Sequence, residues 1–410
     1  MPAGRYVVRL PRNENLEQML GESKATALRR YQLLEKRLSN DPQLKSQYHA
    51  FLAEYLQLGH MRLIPENEEE TAISYYLPHH PVLKNSSSTT KLRVVFDGSA
   101  RTSTGFSLNE ALHVGPVVQD DLLSLIIRFR KYPIALVADI EKMYRQILLD
   151  PQDTPLQRRF DSSLPVSTYE LLTVTYGLAP SSFLATRTLQ QLARDEGENY
   201  PLAALALSKC FYMDDYLGGA QTIQEGIEIR NELEALLGKG GFRLRKWVSN
   251  NVRVLEGLSP TQLLSQTTLE LPEDESTKTL GVKWEPASDK LCFDFASVPG
   301  YGTPTKRSIL SMVSKHFDPL GITSPVTIRA KIILQELWLL PCGWDDVLPD
   351  SMKAKWNLYN HEMTKISSYK ISRYAFLPNL EKSNCILFVT HLNWPMEPVF
   401  LPVQATPKGK

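Results

Sequence analysis

Aspartates lie at two places where the sequence predicts that a β-strand ends. Asp139 follows the apolar run IALVA, and Asp214 and Asp215 stand at the centre of CFYMDDYLGGAQ, between apolar arms typical of a hairpin. Desolvating a carboxylate pair without partners is costly, so this pair either faces water at a turn or meets a cation. Acidic residues at the ends of two strands are the protein ligands that a two-Mg²⁺ phosphoryl-transfer site requires. Each ion takes one or two carboxylates and leaves its other positions to water and phosphate.

Each acidic group also has a simpler interpretation when taken alone. Asp139 fits a strand-end residue that caps a turn, and Asp214 with Asp215 fit a solvated hairpin tip. Two further pairs of adjacent aspartates precede predicted helices, where carboxylates cap free N–H groups: Asp120-Asp121 and Asp345-Asp346. The occurrence of acidic residues at two strand ends favours the metal site over these alternatives.

The composition is that of a soluble globular protein. Its 410 residues predict two or three packed units, and the hydrophobic fraction of 42% and the charged fraction of 22% are ordinary. The net charge of +1 gives no support for nucleic-acid binding through overall charge, but it does not exclude a local basic groove. None of the 4 cysteines forms a C-x-x-C pair, which disfavours structural zinc. Four cysteines in a chain of this length do not resemble a disulfide framework, which indicates a reducing compartment. No apolar stretch approaches the roughly 20 residues of a membrane span, so we expect an intracellular protein.

The periodicity along the chain predicts an α+β fold. Residues 14–60 indicate two helices, with Pro42 at the start of the second. Residues 61–300 alternate strands and helices, without the Gly-rich phosphate loop of nucleotide-binding βαβ folds. The pattern is helical again from Thr305, and the proline-dotted tail from about Ile371 has too little periodicity for an assignment.

The acidic motifs resemble those of reverse transcriptases. Asp139 is followed by Tyr144, and Asp214, in the sequence Tyr-Met-Asp-Asp, lies 75 positions after Asp139. Over about residues 4–365, the ordered segments are similar to the Pol polyprotein of BEL/Pao long-terminal-repeat retrotransposons. These segments are GRYVVRLP, LRVVFDGSA, ADIEKMYRQI, YELLTVTYGLAPSSFLATRTLQQLA, GGFRLRKWVSN, KTLGVKWEP and KRSILSMVSKHFDPLGITSPVTIRAKIILQELW.

This resemblance implies a right-hand polymerase fold with fingers, palm and thumb. The implied division is an N-terminal helical segment (1–60), fingers and palm (61–255), the end of the palm with a primer-grip-like hairpin (256–304), and a thumb- and connection-like helical region with an irregular tail (305–410). The implied activity is that of an RNA-directed DNA polymerase, with an RNA or DNA template-primer and deoxynucleoside triphosphates as partners. The resemblance also implies a cytoplasmic location, in the virus-like particles expected for the family.

The resemblance also implies roles for individual residues. Asp139 and Asp214 would hold two Mg²⁺ ions, for which Mn²⁺ could substitute, with Asp215 supporting the site. The ring of Tyr144 would exclude a ribose 2′-hydroxyl, although without the motif Tyr144 would be interpreted as a core aromatic. The other implied positions are Arg93 and Lys84 at the triphosphate, Gly177 at the nucleotide pocket, Lys246 as a proton donor to pyrophosphate, and a primer grip formed by Leu280, Gly281, Val282, Lys283 and Trp284.

Some of these positions depart from the family pattern or have a simpler alternative. Tyr176 stands where many retroviral enzymes have a glutamine before the motif glycine, so the template-positioning role of that glutamine does not transfer. Lys84 also fits a solvated surface lysine, and Lys246 also fits a basic face shared with Arg243 and Arg245.

Other functions stay open at the level of the sequence. A truncated or domesticated copy could bind nucleic acid without catalysis. A processing protease is disfavoured because the chain has no Asp-Thr-Gly or Asp-Ser-Gly triplet. We expect the ribonuclease H and integrase segments of Pol, and Gag, to lie outside this chain, since the tail segment NCILFVTHLNW carries no aspartate.

Overall fold

The computed structural model describes residues 4–65, 74–83, 92–161, 167–264, 277–279, 282–292, 303–314, 320–366, 369–375, 384–389 and 397–402. These residues form a mixture of helices and strands, which confirms the α+β prediction. No helix in these ranges combines the length and the apolar composition needed to cross a bilayer.

The helices of the described ranges follow the predicted order, with an N-terminal group, helices between the central strands and a C-terminal group. They are α1 (Leu16–Met19), α2 (Lys24–Ser39), α3 (Pro42–Gln57), α4 (Leu108–Ala111), α5 (Leu122–Phe129), α6 (Ser181–Glu196), α7 (Pro201–Lys209), α8 (Ile223–Lys239), α9 (Lys306–Val313), α10 (Ser324–Trp338) and α11 (Asp350–Ile366). Short 3₁₀ turns lie at Met143–Gln146, Thr154–Gln157, Val252–Leu255 and Pro260–Gln262.

The strands of the described ranges form several small sheets. They are β1 (Val7–Val8), β2 (Met61–Leu63), β3 (His79–Leu83), β4 (Leu92–Phe96), β5 (Ile134–Ile140), β6 (Leu148–Leu149), β7 (Arg158–Asp161), β8 (Ser167–Leu171), β9 (Phe211–Tyr212), β10 (Asp215–Ala220), β11 (Leu244–Ser249), β12 (Thr277–Thr279), β13 (Val282–Glu285), β14 (Lys290–Cys292), β15 (Lys370–Ser372), β16 (Asn384–Val389) and β17 (Glu397–Pro402).

The local signals explain several helix ends. Asp41 caps α3 by accepting a hydrogen bond from the Leu44 N–H, with Pro42 in the first helical position as predicted. Asp121 likewise caps α5 by accepting from the Ser124 N–H. The capping prediction is wrong for Asp345 and Asp346. They lie ahead of α11 without reaching it: Asp345 pairs with Arg307, and Asp346 accepts from the Gly343 N–H.

A four-stranded antiparallel sheet in the order β11-β5-β10-β9 is the centre of the fold. Along the chain, β5 is followed by β6 to β8 and then by α6, α7, the β9–β10 hairpin, α8 and β11. The order is that of a ferredoxin-like β-α-β-β-α-β unit with an insertion after the first strand.

The central sheet is covered differently on its two faces. Leu136, Ala138 and Ile140 of β5 belong to the main core, which contains buried residues of α6 and α8 such as Leu189 and Leu233. The alternate residues of the sheet, among them Ala135 and Val137, pack with Trp284 and Leu291 of a second antiparallel sheet in the order β12-β13-β14-β15. This alternation determines which side chains of β5 face away from the helices.

The second sheet includes a strand from the segment that the sequence left unassigned. β15 pairs with β14, and Arg373, directly after it, is fully buried. The Arg373 guanidinium is paired with Asp289 (Nε–Oδ1 2.6 Å) and donates to the carbonyls of Phe129, Tyr132 and Pro133 at 2.6, 2.8 and 3.2 Å. These bonds join the second sheet to the loop that leads into β5.

The C-terminal helices have a core of their own. Ile309 of α9 and Ala330, Ile333 and Leu337 of α10 pack with Trp356 and other buried residues of α11. This confirms the predicted return to helical structure after Thr305. The segments Asn384–Val389 and Glu397–Pro402 form an antiparallel pair.

We predict that Arg373→Met lowers the free energy of unfolding by roughly 3–5 kcal/mol, because Asp289 and several buried carbonyls lose their donor. Urea denaturation followed by tryptophan fluorescence measures the change. Arg307→Met is the matched control, since it removes an exposed ion pair with Asp345 and should have little effect. Equal stability of the two variants would contradict the role assigned to Arg373.

Candidate active site

Asp139 and Asp215 are direct cross-strand neighbours. They are partners in the register of β5 with β10, and Cβ atoms of such partners lie about 4.5–5.5 Å apart. Asp139 shares its face of β5 with Ala135 and Val137, which pack on the second sheet rather than on the helices. The two carboxylates therefore lie together on the helix-free face, at the end of β5 and the start of β10.

The turn between β9 and β10 places Asp214 beside this pair. Tyr212 and Asp215 close a two-residue loop in which Met213 has a φ of 56°, the sign expected for the first central residue of a type II′ turn. The Met213 N–H donates to Gln119 Oε1 at 2.9 Å, and the Asp214 carbonyl accepts from the Ile140 N–H at 2.8 Å. The loop is thus attached to β5, although a positive φ is unfavourable for methionine.

Lys246 of β11 forms a salt bridge with this acidic group. Its Nζ lies 2.6 Å from Asp139 Oδ2, in a salt bridge with both side chains partly exposed. Arg245 is the register partner of Asp139 and pairs with Glu141 at 3.0 Å. The sequence prediction that Lys246 belongs to the site is consistent with this position, whereas its role in proton transfer stays a prediction.

Burial and neighbouring charges raise the pKa of two of the carboxylates, Asp214 and Asp215. Desolvation raises the pKa of Asp215 to about 7; the charges of Asp214 and Asp139 add to the increase, and Lys246 opposes it. The pKa of Asp214 is also raised, first by desolvation and then by Asp139, although part of this residue is exposed. The charged forms of Asp214 and Asp215 are therefore disfavoured by burial and by like charges, and a bound cation would oppose both effects.

Two tyrosines, Tyr144 and Tyr176, lie near the acidic cluster. The rings of Tyr144 and Tyr176 are T-shaped with centroids 4.8 Å apart, and the Tyr144 hydroxyl lies 3.1 Å from Ser182 Oγ. Desolvation raises the pKa of both tyrosines, and the charge of Asp214 contributes to both increases. Tyr144 is therefore near the acidic cluster, and it is half-buried rather than part of the closed core.

Arg93 lies on β4 with an exposed side chain. Its charge lowers the pKa of Asp214 and of Tyr176, so it acts on the same region as the acidic cluster. The structure thus brings Tyr144 and Lys246 near the aspartates, and the charge of Arg93 acts on the same region, while the roles of all three stay predictions.

Gly177 has a conformation and a packing that only glycine tolerates. Its φ is 98°, and an added Cβ would lie 1.8 Å from the carbonyl oxygen of Phe96. Asn109 holds the same loop: its Nδ2 donates to the Gly177 carbonyl at 3.0 Å, and its Oδ1 accepts from the Ala179 N–H at 2.8 Å. The close approach of Gly177 to β4 is thus a structural requirement in addition to its predicted place in a nucleotide pocket.

Only part of the predicted primer grip lies among the described residues. Leu280 and Gly281 lie outside them, as does Lys84, which was predicted to contact the triphosphate. Val282, Lys283 and Trp284 are in β13, and Trp284 is buried with its ring 5.3 Å from that of Phe129 and its Nε1–H donating to Asp289 at 3.0 Å. Trp284 therefore packs the second sheet onto the central one, and contact with a primer stays a prediction.

The oxygen donors of the acidic cluster fit Mg²⁺ or Mn²⁺ when a substrate supplies further ligands. Among the described residues, no three His, Cys, Asp or Glu side chains lie close enough to hold a metal ion by themselves. Mg²⁺ does not require such a set, because it takes one or two carboxylates and completes its shell with water and phosphate oxygens. Asp139, Asp214 and Asp215 offer hard carboxylate oxygens of this kind.

Sequence comparison connects the C-terminal part of the chain with a known family. Residues 305–390 match the family model described as the Pao retrotransposon-like RNaseH-like domain. No curated protein matches the chain. The family match supports a Pao/BEL retrotransposon Pol region.

The description of the family model differs from what the sequence led us to expect. It places an RNaseH-like domain where we expected a thumb- and connection-like region, with the ribonuclease H segment outside the chain. In the described part of this region, every carboxylate has a partner in a hydrogen bond or ion pair. The pairs are Glu336 with Lys355, Asp345 with Arg307, Asp346 with the Gly343 N–H, Asp350 with Lys353, and Glu362 with Arg329. The described carboxylates of the match are thus each partnered by a cation or a backbone N–H rather than by another carboxylate.

Sequence reasoning missed residues that hold the site without belonging to a motif. Gln119 and Asn109 act through hydrogen bonds to backbone groups that are distant in the chain, and no local pattern indicates such bonds. Tyr176 was noted only as a departure from the family, yet its ring contacts that of Tyr144.

We predict that Asp215→Asn stabilises the metal-free protein at pH 8 by roughly 1–3 kcal/mol, and that the gain disappears near pH 4. The folded-state pKa of about 7 lies above the usual value of about 4, so the wild type loses stability as pH rises through this window. Urea denaturation in a chelating buffer at several pH values measures the difference.

Asp195→Asn is the control for this pH series. Hydrogen bonds from Tyr6 and Gln191 lower the pKa of Asp195, so this variant should lose stability relative to wild type above pH 4. A gain for Asp215→Asn that is the same at pH 4 and pH 8 would contradict the raised pKa.

Proposed function

We propose that the chain is a reverse transcriptase fragment of a BEL/Pao retrotransposon Pol polyprotein, an RNA-directed DNA polymerase that uses two-metal nucleotidyl transfer. The observation that carries the proposal is the register of β5 with β10, which pairs Asp139 with Asp215 and sets Asp214 at the adjoining turn. The ferredoxin-like order of the central sheet and the family match of residues 305–390 support it.

Asp139 and Asp214 would hold two divalent cations, with Asp215 beside them. When bound, such ions lower the pKa of an attacking hydroxyl and neutralise charge on the leaving pyrophosphate. The raised pKa values of Asp214 and Asp215 support this assignment, because burial and the neighbouring carboxylates disfavour their charged forms, and a bound cation would favour those forms.

The surrounding side chains would bind and orient the deoxynucleoside triphosphate. Arg93 offers a permanent, forked positive charge to phosphate oxygens. The ring of Tyr144, supported by Tyr176, would lie against the sugar and leave no room for a 2′-hydroxyl. Lys246 would donate a proton to the leaving pyrophosphate after the triphosphate has entered. The second sheet and the C-terminal helices would contact the template-primer through its phosphates, independently of sequence.

A catalytically inactive, nucleic-acid-binding copy is the second candidate function. One observation favours it: the family match lies in residues 305–390, whose described carboxylates are all paired and whose RNaseH-like description suggests nucleic-acid binding. The three aspartates of the central sheet favour the active enzyme.

Primer extension on an RNA template with Mg²⁺ or Mn²⁺ tests the proposal. We expect extension by the wild type and a decrease of about two orders of magnitude or more in Asp214→Asn, because a metal ligand acts on the transition state. Asp345→Asn, which changes the first residue of another aspartate pair, should retain wild-type extension. Equal extension by wild type and Asp214→Asn would refute the site. No extension together with salt-sensitive duplex binding would support the inactive copy.

Sugar selection is a second test of the same site. Tyr144→Val should raise the incorporation of ribonucleotides relative to deoxynucleotides by roughly tenfold or more, since the ring that blocks the 2′-hydroxyl is lost. Tyr144→Phe keeps the ring, loses only the hydroxyl near Ser182, and should discriminate like the wild type. Unchanged discrimination in the valine variant would remove Tyr144 from this role.

A further inference from the structure

Lys246 occupies an irregular point of β11. The register pairs Arg245 with Asp139 but Val248 with Val137, so β11 carries one extra residue between these pairs. Such a bulge re-aims the side chains near it. Lys246 lies in the bulge with a φ of 56°, a left-handed conformation that glycine adopts more easily, at a cost of about 1–2 kcal/mol for other residues.

This unfavourable backbone places an ammonium group at the acidic cluster. Lys246 Nζ lies 2.6 Å from Asp139 Oδ2, while the preceding residue, Arg245, pairs with Glu141 instead. The positive charge of Lys246 also acts on Asp214 and Asp215. One protein cation thus contacts an oxygen of Asp139 and partly neutralises the other two carboxylates.

We propose that Lys246 is a built-in competitor of the divalent cation at Asp139, and that nucleotide binding removes this competition. This inference rests on the proposed polymerase function. Without nucleotide, the ammonium occupies an oxygen that a metal ion would take. A triphosphate carries several negative charges and gives the ammonium another partner, so metal and nucleotide bind cooperatively. Because coupling is reciprocal, the metal increases nucleotide affinity by the same factor.

The chemistry of lysine suits this exchange. Its ammonium is a compact point charge on a flexible four-carbon chain, whereas the planar fork of arginine favours one fixed, two-pronged contact with a carboxylate. The salt bridge is also partly exposed, at 30% for the Lys246 side chain and 23% for that of Asp139, so solvent and ligand can reach it. Exposed ion pairs are weak enough for a divalent ion or a phosphate to replace them.

Binding of Mn²⁺, followed by the electron paramagnetic resonance signal of the free ion, tests the inference without catalysis. In the absence of nucleotide, we expect Lys246→Met to bind Mn²⁺ about tenfold or more tightly than wild type, because the competing charge is gone. Lys246→Arg keeps the charge and should bind within about twofold of wild type. Arg243→Met removes a positive charge just before β11 and should also stay within about twofold.

A nonhydrolysable deoxynucleoside triphosphate provides the second part of the test. With saturating analogue, the difference in Mn²⁺ affinity between wild type and Lys246→Met should shrink to about twofold. Lys246→Gln serves as a second neutral variant if circular dichroism shows that the methionine variant is unfolded. Equal or weaker Mn²⁺ binding by the neutral variants, or a difference that the nucleotide leaves unchanged, would overturn the inference.

Asp139→Asn and Asp214→Asn distinguish failure of this inference from failure of the proposed function. Both variants should weaken Mn²⁺ binding at least tenfold. If they do so while Lys246→Met binds like wild type, the competition is refuted and the metal site stands. If neither aspartate variant changes Mn²⁺ binding, the metal site and the competition are refuted together.

Discussion

The antiparallel pairing of β5 with β10 is the interaction on which the candidate site depends. It sets Asp139 opposite Asp215, and the short turn before β10 brings Asp214 to the same place. Because side chains alternate along a strand, a shift of this register by one residue would move Asp215 away from Asp139 and turn the apolar residues of β10 out of the core. The same register therefore determines both the packing of the sheet and the position of the carboxylates.

The elements packed on the two faces of the central sheet stabilise this register. The main core, with α6 and α8, buries one set of alternating side chains, and the second sheet buries the other through Trp284. Arg373 and Asp289 connect the second sheet to the loop before β5 with several buried hydrogen bonds. The face that holds the aspartates is thus rigidly supported, which suits groups whose mutual repulsion would otherwise separate them.

Unfavourable backbone conformations occur at the same place. Of the non-glycine residues described with positive φ, Met213, Lys246 and Lys142 lie in or next to the elements that carry the aspartates. Strained conformations persist when the surrounding structure over-determines them, and they are frequent at functional sites. Here the strain at Met213 forms the turn that presents Asp214, and the strain at Lys246 directs an ammonium to Asp139.

The sequence by itself determined the helices and strands with strong periodicity, the α+β class and the identity of the three aspartates. It could do so because apolar periodicity, caps such as Asp121 and strand-end positions are local patterns. It did not reveal the supports from Gln119 and Asn109, the contact of Tyr176 with Tyr144, or the place of β15, and it assigned caps wrongly to Asp345 and Asp346. Only the tertiary structure decided these, since all except the bond of Asp346 to the Gly343 N–H depend on residues far apart in the chain. The salt bridge of Lys246 with Asp139 also depends on the tertiary structure. It is formed by a bulge in β11 where this strand pairs with β5, which is distant in the chain.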